Sequence, residues 1–352
     1  MLFLTHSLTK LKISERHRLQ LWVISNNILE VDGNEKIDPE KASILSLCKV
    51  IPQEYPSITC RCIDITLKNC QNTLHSEAGE GDTYGIIDQL LNELMAVSST
   101  LVVAYRGSYR WVQTFEPLLL ESVLEEKIPL KKQDVYLFTG GLESIEVVLA
   151  EYLAKTFQAK LIFIENLTFP EKHEYLQWLD THVQEDNVSC KLQKLLELEK
   201  LCAKILVIRA DTTNYEQIYQ SLYSENIGNI NGVIYSNRIK HENIFSSIPE
   251  ICQIELKKIL DSQLCTINIL EKVLENIKLD FWIISSSLSS ILGGFGLCLY
   301  SASNQIIDSF ITKRNQNSSL PWYTVNWEKL QLNLIQEKKQ LNMHTELKQL
   351  LI

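Results

Sequence analysis

A chain of 352 residues is too long for one core of ordinary size and predicts two domains, and its 45% apolar content is enough to build both. A formal net charge of −9 sets the chain against phosphate backbones, so no nucleic-acid partner is expected. No apolar run approaches the ~18 residues of a membrane span. MLFLTHSLTKLKISERHR lacks the pattern of a secretory leader, and nine cysteines without a CxxC pair fit reducing surroundings, so a cytoplasmic protein off the membrane is expected.

Leu19–Ser25 is a short β-rich run closed by Asn26-Asn27. Asp38 is placed to N-cap a helix over Pro39–Val50. Ile58–Ile65 alternates apolar and polar residues like a half-buried strand. Cys60 and Cys62 fall on one face of that strand, and with no second ligand cluster they read as buried thiols and not as a metal site. Tyr84–Met95 has the spacing of an amphipathic helix. Leu101–Arg106 is a strand that turns at Gly107-Ser108 into Tyr109–Thr114. Residues 121–134 are charged, contain a proline and read as a boundary. A second α/β pattern follows. Strands at Val135–Phe138, Lys160–Ile164, Ile205–Ile208, Gly232–Tyr235 and Phe281–Ile284 alternate with helical stretches, the first of them over 143–157. Continuous apolar strands separated by helices predict a parallel sheet covered on both faces. Leu330–Ile352 is an amphipathic tail that packs on its own domain or docks on a neighbour.

Glycine is scarce, 12 residues in 352, about half the usual ~7%. The second pattern nonetheless opens on Thr139-Gly140-Gly141, where a dinucleotide fold turns from strand to helix and cradles pyrophosphate. Ser286-Ser287-Leu288-Ser289-Ser290, Gly293-Gly294 and Tyr300-Ser301-Ala302-Ser303-Asn304 come later. Together these motifs resemble the short-chain dehydrogenase/reductase family. The asparagine four residues after the tyrosine resembles its polyketide synthase ketoreductase branch. Cys48–Pro56, Tyr105-Arg106-Gly107 and Arg110–Pro117 resemble the structural subdomain that precedes such ketoreductases. The resemblance implies an α/β protein with two Rossmann-like subdomains. Residues 1–122 would form a truncated Rossmann subdomain and 123–335 a doubly wound parallel-sheet subdomain, with 336–352 a helical tail.

The same resemblance implies NADPH as cofactor and a β-keto group on a carrier-protein-bound acyl chain as substrate. Tyr300 would give its proton to the carbonyl oxygen, Ser287 would hydrogen-bond that oxygen, and Asn304 would help place a lysine and a water. Thr139, Gly140, Gly141 and Asp211 would meet the cofactor. Read without the family, Tyr300 is a partly buried helical tyrosine, Ser287 a capping hydroxyl and Asp211 a strand-end aspartate capping a helix.

Several positions depart from the family pattern. The lysine position holds Gln263, which is neutral and cannot stabilise a tyrosinate as a cation does; Lys257 and Lys258 lie about two turns away. The glycine-rich loop holds Glu143, Ser144 and Glu146. A carboxylate ~5 Å from a phosphate charge costs roughly 3 kcal/mol at an effective dielectric of 20, over a third of the ~8 kcal/mol that holds a micromolar ligand. Glu143 and Glu146 read best as an acidic helix N-terminus that no longer receives an external anion. Glu165-Asn166 stands where the family places an arginine for the 2′-phosphate, an acid that suits a ribose hydroxyl instead. Tyr235-Ser236-Asn237-Arg238 replaces a His-Ala-Ala-Gly stretch, and Lys240-His241-Glu242 replaces a stereochemical marker. The expectation is a ketoreductase-like domain with impaired or absent activity, serving as scaffold or docking surface for synthase domains or an acyl carrier protein. A working NADPH-dependent β-ketoacyl reductase and a repurposed binder of a small molecule or acyl chain in the old cleft are the alternatives. No metal is expected.

Overall fold

The computed structural model describes residues 1–12, 17–67, 78–96, 100–118, 129–140, 142, 145–183, 186–201, 204–224, 229–236, 245–251 and 264–328, the side chains of 78–84 excepted. The chain groups into two compact units. Met1–Glu116, Lys240–Leu256 and Leu288–Asn317 form the first, and Pro117–Ile239, Lys257–Ser287 and Ser318–Ile352 the second.

The first unit carries a four-stranded sheet, β1 (Leu19–Asn26), β2 (Ile58–Ile65), β3 (Val102–Arg106) and β4 (Tyr109–Trp111), in that spatial order. β1, β2 and β3 run parallel, and β4 returns antiparallel to β3. Cys60 and Cys62 are buried free thiols on β2. Burial pushes the Cys60 thiol up to about 12, which keeps it protonated and unreactive. No cluster able to hold a metal ion occurs among the described residues. The predicted helix at Pro39–Val50 starts later and runs over Ser43–Glu54. Ahead of it the amides of Lys41 and Ala42 bond the carbonyls of Asp38 and Pro39, so those residues form tight turns. The helix predicted from Tyr84 begins at Ala78, and a helix at Leu2–Lys10 was not foreseen.

The second unit holds six parallel strands: β5 (Val135–Phe138), β6 (Lys160–Glu165), β7 (Lys204–Arg209), β8 (Gly232–Ser236), β9 (Phe281–Ser287) and β10 (Trp322–Trp327). Their spatial order is β10-β9-β8-β5-β6-β7. The winding reverses between β5 and β8, the doubly wound order in which ligands bind beyond the carboxyl ends of the strands at the reversal. Tyr136, Phe138, Leu161 and Phe163 are fully buried, and the helix Ile145–Phe157 covers them with Val148, Leu149 and Tyr152. Gly232 starts β8 because a Cβ there would come within 2.6 Å of the Phe281 ring. β10, absent from the sequence reading, is held by Trp322 stacked on its register partner Trp282 at 4.2 Å. Among the described residues no helix is long and apolar enough to cross a membrane.

Candidate functional site

All six strands of the second unit end on one edge. Thr139-Gly140 follows β5, Glu165-Asn166 closes β6, Ala210-Asp211 follows β7, Tyr235-Ser236 closes β8 and Ser285–Ser287 closes β9. The sequence motifs therefore converge on the edge where a doubly wound sheet places its ligand.

At the reversal, the backbones of β5 and β8 come unusually close. The Thr139 amide bonds the Ile234 carbonyl at 3.1 Å. A Cβ on Gly140 would lie 2.2 Å from the Ser236 Cβ. Gly140 thus serves close strand packing, and Ser236 is the neighbour that demands it. Glu146 occupies the first turn of the helix Ile145–Phe157 as predicted, yet it is 3% exposed and not a solvated surface acid. Its Oε1 accepts the Ser285 hydroxyl of β9 at 3.4 Å. A carboxyl group thus stands in the first turn of the helix, turned inward to β9.

Glu165 is 1% exposed, with the Lys191 ammonium 3.5 Å from Oε2. Its Oε1 is buried without a hydrogen-bond partner among the described residues. Asn166 is committed to its own turn, its Oδ1 accepting the Thr168 amide at 3.0 Å and hydroxyl at 2.6 Å. Asp211 likewise accepts the Thr213 amide at 2.9 Å and hydroxyl at 2.7 Å. The helix Tyr215–Ser224 is capped by Asn214, not Asp211.

Ser287 ends β9 half-buried in the second unit, whereas Tyr300 and Asn304 belong to the first, on the helix Cys298–Asn315. Asn304 is 1% exposed and donates its Nδ2 to the Tyr300 carbonyl at 2.8 Å, one helical turn back. Asn326 of β10 donates to the Ser286 hydroxyl and the Ser287 carbonyl, both at 3.2 Å, and so braces the end of β9. The sequence reading missed Ser285, Asn326 and Lys191. Only Asn326 had a local signal, the aromatic and β-branched run Trp322–Trp327 after Pro321. Gly141, Glu143, Ser144, Asn237, Arg238, Lys240, His241, Glu242, Lys257, Lys258, Gln263 and the 336–352 tail lie outside the described residues.

A cavity of about 430 Å³ runs along β7, lined by Glu171, Tyr175, Leu195, Ile205–Arg209 and Ser221 among others; none of the site residues above lines it. As a cradle for NADPH the described edge fits poorly. The Glu146 carboxyl already stands at the helix start, and at the end of β6 the Glu165 carboxyl and Asn166 Oδ1, taken up by Lys191 and Thr168, provide no positive charge of their own for a 2′-phosphate.

Comparison with known proteins agrees with this architecture. The chain is 20% identical over 320 residues to a 6-methylsalicylic acid synthase of Arthrobotrys oligospora, which covers 89% of this chain and 16% of that protein. It is 25% identical over 338 residues to polyketide synthase PksL of Bacillus subtilis, 92% of this chain and 7% of that one. The chain therefore spans a small part of the relatives it matches. A crystal structure of a ketoreductase domain from the bacillaene assembly line aligns with a TM-score of 0.68 at 20% identity, over 97% of this chain and 73% of the other. The ketoreductase-containing multidomain structure of a keto acid-selecting nonribosomal peptide synthetase module gives 0.70 at 22% identity, over 93% and 25%. At such identities the structural matches speak for the fold alone. The KR domain family model matches residues 134–331, more than half of the chain, and the chain accordingly belongs to the ketoreductase domains of the short-chain dehydrogenase/reductase family found in polyketide synthases.

Proposed function

We propose that this chain is a ketoreductase-like domain of polyketide biosynthesis whose cofactor cradle is impaired, and that it acts as a scaffold or docking surface for synthase domains or an acyl carrier protein. The observation that carries this reading is Glu146, a buried carboxylate at the helix start where the family presents bare backbone to pyrophosphate. Glu165 beside Asn166 supports it at the adenosine end, where the family's NADPH would need positive charge. Ser287, Tyr300 and Asn304 occupy the catalytic positions of the family, with Gln263 at that of the lysine. Thr139, Gly140, Gly141 and Asp211 are what remains of the cofactor set. The contiguous organisation that fits the family is 1–122 structural, 123–335 ketoreductase-like and 336–352 tail. The second reading, an NADPH-dependent 3-oxoacyl-[carrier protein] reductase, is favoured by the retained serine, tyrosine and asparagine.

Titration of the whole chain with NADPH and NADH, followed by assay on a β-ketoacyl thioester, separates the two. No saturable binding below ~1 mM, equivalent to about 4 kcal/mol, is expected for either nucleotide. Submillimolar NADPH binding with turnover would establish the second reading instead. Glycine at positions 143, 144 and 146 combined with Gln263→Lys should raise affinity for NADPH at least tenfold. A restored protein that still ignores the nucleotide would show that these positions do not form the cradle.

A further inference from the structure

Away from the cofactor edge, the first unit spends glycine where the second has lost it. Three of the chain's 12 glycines, Gly293, Gly294 and Gly296, adopt positive φ within the short turn ahead of the helix that carries Tyr300. The turn runs tight against the helix Ser43–Glu54, for a Cβ on Gly293 would lie 3.0 Å from the Gln53 amide nitrogen and 3.1 Å from the Lys49 Cβ. The helix then holds the turn through three polar side chains, Lys49, Gln53 and Glu54. Lys49 donates to the Ser290 carbonyl at 2.5 Å and Gln53 to the Leu292 carbonyl at 2.9 Å, which caps the short helix Ser289–Leu292 at its carboxyl end. Glu54 accepts the Gly296 amide at 3.2 Å on Oε1 and the Ile248 amide at 2.8 Å on Oε2. The second of these amides belongs to a different segment, which also meets the turn directly through Ser246 N to Gly296 O at 2.9 Å.

We propose that Glu54 is a positioning residue for the Tyr300 segment, a carboxylate clamp that locks the 293–297 turn to the 246–248 segment and so fixes where the tyrosine helix begins. The importance of that position rests on reading Tyr300 as the family tyrosine; the clamp itself does not. A single side chain that bridges two segments by one oxygen each couples their motions, because neither amide keeps an acceptor when the carboxylate leaves. Burial keeps the Glu54 carboxyl above its ordinary range, against the pull of its two amides. Among the described residues, the titratable groups facing it are Glu250 on the adjoining turn, the Cys298 thiol at the helix start and the neighbouring Tyr55 phenol.

The test uses the full chain labelled with ¹⁵N-glycine and ¹⁵N-isoleucine. The Gly296 and Ile248 amide signals should titrate together, with one shared midpoint above that of an ordinary carboxylate, and Glu54→Gln should abolish both transitions. Glu54→Ala should speed hydrogen exchange of these two amides at least tenfold while Ile63 in β2 keeps its protection, and Glu54→Gln should restore at least one. Independent midpoints, persistence of the titration in Glu54→Gln, or equal loss of protection at Ile63 would each overturn the clamp. None of these readouts needs turnover or nucleotide, so a failed clamp is distinguishable from a failed reading of the cofactor edge, which the nucleotide titration tests on its own.

Discussion

The carboxyl edges of the parallel strands in the two sheets meet the same difficulty in different ways. In the first unit, the loop after β1 turns a row of backbone amides inward, a nest of the kind that receives anions. Carboxylates of the chain fill it: Asp64 accepts the amides of Ile28 and Leu29, and Glu35 those of Val31, Asp32 and Gly33. Arg106 neutralises both, at 2.6 Å from Glu35 and 2.8 Å from Asp64, and also bonds the Leu29 carbonyl at 2.7 Å. In the second unit, the side chains of Glu146 and Glu165 are buried at the edge where the family receives a nucleotide, Glu146 against the Ser285 hydroxyl and Glu165 beside the Lys191 ammonium. Carboxylates of the chain itself thus take up the backbone amides of the first edge. The first unit has a closed network of that sort; the second retains the strand order and the Thr139-Gly140 turn.

Arg106→Ala should open the first edge with the largest effect. It strands two carboxylates whose side chains are 6% and 0% exposed, at a cost of about 3–5 kcal/mol. Urea unfolding followed by tryptophan fluorescence would measure the loss, and a change under ~1 kcal/mol would mean that the amides alone suffice to hold Asp64 and Glu35. On the second edge, Gly140→Ala drives a Cβ to 2.2 Å from Ser236 and should cost about 1–3 kcal/mol. Adding Ser236→Gly should recover most of it in a double-mutant cycle. Additivity of the two substitutions would show that the strand ends do not press on each other there.

The smallest effect is in the acid limb of stability. Glu93 takes a two-pronged hydrogen bond from Arg110, at 2.7 and 2.9 Å, and the Tyr105 hydroxyl at 2.8 Å. Arg110 above all, opposed by burial and helped by Tyr105, lowers the Glu93 carboxyl below its usual 4.5. A depressed acid binds its proton more readily in the unfolded chain. Its contribution is therefore complete above pH 4.5 and is lost as pH falls through the folded-state value. Thermal melts across that range should show a shallower acid slope in Arg110→Ala than in the parent protein, and identical slopes would deny Glu93 this role.

Much of this was legible in the sequence. The continuous apolar runs at 135–138 and 161–164 read as buried strands and are parallel strands here, because such runs are local. The acids in the cofactor loop were visible for the same reason: a glycine motif is contiguous, and its loss can be read letter by letter. Ile58–Ile65 is also a strand, but it is not half-buried as its alternation predicted: Arg61 and Asp64 are 5% and 0% exposed, because both side chains are taken up by partners within the unit. The helix start at Ser43 was misjudged because Asp38-Pro39 satisfies the rules for a cap while the chain makes tight turns there.

Local pattern determined the α/β class, most of the strands, the family motifs and the departures from them. Tertiary structure decided that Glu146 turns inward to Ser285 and not outward to water, that Trp322 brings β10 to the edge of the six-stranded sheet, and that Glu54 joins two segments lying 194 and 242 residues away from it in the chain. Each of these depends on which distant backbone groups come within about 3 Å of one side chain, and the packing that sets such distances leaves no periodic mark in the sequence.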